Sequence, residues 1–63
     1  MYTIKYWKNN NYREMGISDI YTKGDNLDEL KFLSNKLVDR DGFACVEIVD
    51  NDEEVLYFYE GDK

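Results

Sequence analysis

Asn26-Leu27-Asp28-Glu29-Leu30-Lys31-Phe32-Leu33-Ser34-Asn35-Lys36-Leu37-Val38-Asp39-Arg40-Asp41-Gly42 is the stretch on which the fold of this 63-residue chain turns. Leu27, Leu30, Leu33, Leu37 and Val38 recur at helical spacing and make one apolar stripe, the mark of a helix lying on a core. Asn26 suits the N-cap, with Glu29 three residues on, where its side chain could reach back to the cap amide. Asp28 and Glu29 place negative charge at the positive end of the helix dipole. Asp41-Gly42 supplies the stop, because glycine takes the left-handed C-terminal cap without strain.

Outward on the C-terminal side, residues 43–49 (Phe-Ala-Cys-Val-Glu-Ile-Val) and 54–60 (Glu-Val-Leu-Tyr-Phe-Tyr-Glu) are rich in β-branched and aromatic residues and read as two strands. Asp50-Asn51-Asp52-Glu53 between them reads as a four-residue hairpin loop. Pairing Val49 with Glu54 sets Ile48 against Val55, Val46 against Tyr57 and Ala44 against Tyr59, and this face is assigned to the helix. The other face then carries Phe43, Cys45, Glu47, Val49, Leu56 and Phe58.

On the N-terminal side, Lys23-Gly24-Asp25-Asn26 ends a preceding element. Residues 13–22 read as a strand, with Gly16 marking a bulge, and Asn9-Asn10-Asn11 as a turn. Residues 2–7 alternate Tyr2, Ile4 and Tyr6 against Thr3, Lys5 and Trp7, which is the period of a strand. The expected architecture is a single α+β domain over residues 1–63. Its order is ββαββ, an antiparallel four-stranded sheet with one helix packed on one face.

A chain this short buries little surface, and small domains commonly lean on disulfides, metals or self-association. Cys45 is the single cysteine and histidine is absent, so neither an internal disulfide nor a zinc site can form. Packing of ten aromatic side chains or self-association remains, and a homodimer is expected. The free thiol fits a reducing compartment. Met1–Lys5 has no basic segment leading into an apolar run, and no apolar run exceeds five residues. The expectation is therefore a cytoplasmic protein with no signal peptide and no membrane span.

The formal net charge is −6, and it is unevenly spread. Residues 1–23 hold four basic against two acidic side chains, and residues 24–63 hold four against twelve. A chain of this balance repels a phosphate backbone over most of its surface. Direct nucleic-acid binding is not expected, and a partner protein with a basic surface is.

Three features exceed what folding requires. The first is the sheet face away from the helix, where Cys45, Glu47, Val49, Leu56 and Phe58 are assigned to a dimer interface. Glu47, Glu54 and Glu60 beside it argue against base stacking there, which calls for a positively charged groove. The second is Phe32, about 160° around the helix from the leucine stripe at roughly 100° per residue. It falls among polar residues and makes an anchor for a partner, with Asp28, Glu29, Lys36 and Asp39 beside it. The third is the carboxylates at 25–41 and 50–54, which serve solubility or face a basic groove.

Asp50-Asn51-Asp52-Glu53-Glu54 lacks the glycine and distant glutamate of an EF-hand loop, and no metal ligand set is assigned. With no histidine, a mid-strand thiol and isolated glycines, no catalytic residue and no cofactor are assigned either. The expected activity is therefore non-enzymatic binding. The rival readings are a module that sequesters a small molecule or metal ion, and a structural or accessory protein.

Tyr2-Thr3-Ile4-Lys5-Tyr6-Trp7, Met15-Gly16-Ile17-Ser18-Asp19-Ile20-Tyr21 and Phe43-Ala44-Cys45-Val46-Glu47-Ile48-Val49-Asp50 together resemble the small acidic proteins of bacteriophages and mobile elements. That resemblance spans nearly the whole length. It implies a phage-encoded inhibitor of a host defence enzyme, such as a restriction or CRISPR effector, with carboxylates standing in for phosphates. The net positive charge of residues 1–23 departs from a uniform nucleic-acid mimic.

Overall fold

The computed structural model describes residues 1–61, so the expected domain span of 1–63 includes two residues outside those described. Four strands and two helices follow in the order β1 (Tyr2–Trp7), α1 (Asn10–Met15), β2 (Asp19–Gly24), α2 (Leu27–Asp39), β3 (Cys45–Val49) and β4 (Val55–Glu60). The strands form one antiparallel sheet in the order β2-β1-β3-β4. The class is α+β with a four-stranded antiparallel sheet as expected, but the order is βαβαββ, because a second helix takes the predicted turn and the first residues of the predicted second strand.

α2 forms as its sequence predicts. The Asn26 side chain caps it by accepting from the Glu29 amide at 3.2 Å, which satisfies one of the free amides of the first turn. Gly42, at φ 77°, closes the other end. Its amide donates to the Val38 carbonyl and the Phe43 amide donates to that of Leu37.

The buried stripe of α2 is Leu30, Leu37 and Val38, which meets Ile4, Val46 and Ile48 of the two central strands. Complete burial of an Ile, Leu or Val side chain contributes roughly 1.5–3 kcal/mol. These six residues are therefore the main source of stability. Tyr2, Tyr6, Phe43, Tyr57 and Tyr59 rim this core.

β2 and β3 both run antiparallel to β1, so they are parallel to each other and α2 is the crossover between them. That placement covers one sheet face and leaves the other without a second layer.

Three expectations change. Asn9 is an N-cap and not part of a turn: it accepts from the Tyr12 amide at 3.0 Å and starts α1. Gly16, at φ 71°, is the C-cap of α1 and not a bulge, so β2 begins only at Asp19. Phe43 lies on the helix side, stacked on Tyr6 with ring centroids 4.5 Å apart.

The β3–β4 register also departs from the predicted one, by one residue at Val49 and by two from Ile48 onward. Val49 pairs with Val55, Ile48 with Tyr57 and Val46 with Tyr59. Val46, Ile48, Tyr57 and Tyr59 keep the predicted face, whereas Val55 leaves it for the open side. One residue of the shift arises in the turn, where the Asp50 side chain accepts from the amides of Asp52 and Glu54, and the second at Leu56. This Asx arrangement holds a five-residue loop, with Glu53 at φ 61°. Leu56 is then one extra residue in β4, and Tyr21 is its counterpart in β2.

Candidate functional site

The outer surface of α2 brings together four of the five residues assigned to partner binding. Phe32 is 63% exposed and lies outside the core cluster. Lys36, one turn on, holds its ammonium 4.6 Å from the Phe32 ring centroid, a cation–π contact that braces an otherwise free aromatic. Asp28, one turn before, and Glu29 beside it are exposed. Neither joins an ion pair among the described residues. The result is an aromatic anchor with negative charge on its N-terminal side and one lysine on its C-terminal side.

Asp39 is placed differently. Its carboxylate accepts from the Tyr59 hydroxyl, at 2.9 Å to Oδ1 and 3.1 Å to Oδ2. One turn earlier the Asn35 Oδ1 accepts from the Tyr57 hydroxyl at 2.6 Å, and Lys31 lies 5.5 Å over the Tyr57 ring. This flank of α2 is committed to holding β4, so Asp39 belongs to the fold before it belongs to a contact surface.

The residues assigned to a dimer interface divide as well. Cys45 and Val49 are 1% and 3% exposed, so they support the open sheet face from beneath and offer no contact area. Leu56 and Phe58 are 42% and 45% exposed, and Glu47 is half-buried.

One corner of the open face is covered by a residue the sequence reading did not assign. Arg13 of α1 lies 5.7 Å over the Phe58 ring and pairs with Glu60 at 2.8 Å. Asn9 and Gly16, seven apart, are the signal that would have located α1. Burial raises the pKa of the Cys45 thiol; Arg13 lowers it, while Glu60 and Glu47 add to the rise. A thiol held protonated in this way is a packing group and not a nucleophile at neutral pH.

The carboxylates do not converge. Among the described residues, no group of three or more Cys, Asp or Glu side chains is placed to hold a metal ion. Among the described residues, no helix is long and apolar enough to cross a membrane. Comparison with protein-family models, curated proteins and solved structures finds no match to this chain.

Proposed function

We propose that this chain is a non-enzymatic, phage-encoded inhibitor that binds a host defence or nucleic-acid-handling protein through the outer face of α2. The observation that carries the reading is Phe32, a large aromatic that the core does not use and that Lys36 steadies in solvent. Aromatic side chains held in this way supply much of the energy at protein interfaces. Asp28 and Glu29 add the charge that would steer the face toward a basic groove. The phage origin and the class of target rest on the resemblance to small acidic phage and mobile-element proteins.

The experiment is a tagged pull-down from bacterial lysate with stepwise salt elution and mass spectrometry, comparing wild type with Phe32→Ala and with the pair Asp28→Asn, Glu29→Gln. The expected result is one nucleic-acid-handling protein retained by wild type and lost from Phe32→Ala. The charge-neutral pair should release it at lower salt than wild type. A partner held equally by all three proteins would remove α2 from the reading. No retained partner at low salt would remove the inhibitor.

A further inference from the structure

The open face of the sheet is divided by charge across the strand order. Its β2–β1 half presents Lys23 and Lys5, and its β3–β4 half presents Glu47 and Glu60, as the pairings Thr3–Lys23, Lys5–Glu47 and Cys45–Glu60 require. Arg13 from α1 and Glu53 from the hairpin loop add one charge of each sign, since Arg13 pairs with Glu60 and Lys5 with Glu53 at 3.5 Å. This face is therefore near neutral on a chain whose net charge is −6. Between the charges lie exposed apolar side chains: Ile20 on β2, and Val55, Leu56 and Phe58 on β4. Such a patch is unusual on a monomer that stays apart.

We infer that this face seats a second copy of the chain, on a two-fold axis parallel to the strands. Rotation about such an axis lays β1 of one copy over β3 of the other and β2 over β4. Lys5 then meets the partner copy's Glu47, and Glu47 the partner copy's Lys5. The lysine half of each face lies over the glutamate half of the other, and the apolar residues close around this reciprocal pair. A two-fold axis across the strands would instead set lysine over lysine and glutamate over glutamate, which costs energy once the charges lose solvent.

Four strands about 4.8 Å apart and six residues at about 3.3 Å give a face of roughly 400 Å² in projection. Two such faces fall at the low end of specific interfaces. The dimer is therefore weak and dissociates on dilution. This inference is independent of partner binding through α2, which lies on the opposite side of the sheet.

Sedimentation equilibrium over a concentration series tests it, with circular dichroism confirming that each variant folds. Wild type and Phe32→Ala are expected to approach twice the monomer mass at high concentration. Phe58→Ser is expected to stay at the monomer mass, with Leu56→Ser serving the same purpose should Phe58→Ser fail to fold.

Lys5→Glu and Glu47→Lys are each expected to be monomeric, and their equimolar mixture is expected to dimerise, because only a mixed pair restores both contacts. A monomeric wild type, or a folded Phe58→Ser or Leu56→Ser that still dimerises, would overturn the interface. Single charge variants that dimerise unmixed, or a mixture that stays monomeric, would overturn the direction of the axis.

Discussion

Tyr59, on the edge strand β4, donates its hydroxyl to both carboxylate oxygens of Asp39 in the last turn of α2. The bond joins the outermost strand to the helix at a point where few buried apolar contacts do so. Its existence also explains a charge in an unfavourable place, since a carboxylate near a helix C-terminus opposes the dipole. Asp39→Ala is expected to cost about 1 kcal/mol, the usual net worth of such a hydrogen bond. Asp39→Asn, which keeps an acceptor and removes the charge, should cost less. Urea denaturation of the three proteins checks the order. An unchanged Asp39→Ala midpoint would show that the bond contributes nothing and would return Asp39 to the partner-binding set.

Ser34 sits in the middle of α2, fully buried among the leucines, and among the described residues its hydroxyl has no hydrogen-bond partner. Burying a hydroxyl without a partner costs on the order of 1–3 kcal/mol, and alanine is the better helix former. Ser34→Ala is expected to raise stability by about 1 kcal/mol, read as a higher melting temperature. A fall would mean that the hydroxyl is bonded in solution.

Glu53 is the single non-glycine residue with positive φ among those described. The left-handed conformation costs an L-residue about 1–2 kcal/mol, part of which glycine gives back in greater freedom of the unfolded chain. The ion pair with Lys5 is at the surface and weighs little. Glu53→Gly is therefore expected to stabilise by roughly 0.5–1 kcal/mol, checked by denaturant midpoint. A loss of stability would show that the carboxylate holds the loop more firmly than its exposure suggests.

Cys45 gives a pH dependence of known sign. Its thiol pKa is raised in the folded protein above an ordinary value of about 9, chiefly by burial. A thiol that holds its proton more tightly when folded contributes stability that is complete below that ordinary value. The contribution is lost as pH rises through the folded value. Stability measured from pH 7 to 10.5 is expected to fall more steeply for wild type than for Cys45→Ala, whose other titrating groups are the same. Parallel slopes would mean that the thiol titrates alike folded and unfolded. Alkylation by iodoacetamide at pH 8 should also be slow in the native state and fast in urea.

Where the chain carries a strong apolar period, its structure was legible. α2 declares itself through Leu27, Leu30, Leu33, Leu37 and Val38, and its caps are the Asn26 and Gly42 that the sequence suggests. The exposed setting of Phe32 follows from the same helical wheel. α1 was not legible in this way because none of its six residues is buried. No periodicity marks it, and the contact that ties it down, Arg13 to Glu60, spans 47 positions. The β3–β4 register escaped for a related reason. Hydrophobic alternation fixed most of the faces, but the Asx turn of Asp50 with the left-handed Glu53 moved the pairing by one and the extra residue Leu56 by one more. A total of two is an error that alternation cannot detect. Asp39 read as surface charge because its partner, Tyr59, lies on a different element.

The extra residues Tyr21 and Leu56 sit on β2 and β4, the two strands that border the sheet. A border strand with a regular ladder offers its free amides and carbonyls to any passing chain, and a small domain produced in quantity is exposed to runaway strand-by-strand polymerisation. An inserted residue breaks the repeat that an incoming strand would have to match. This chain contains no proline that could do the same. Both borders thus carry a break in the ladder, which works against strand-by-strand addition on a domain that exposes aromatic side chains on its broad surfaces.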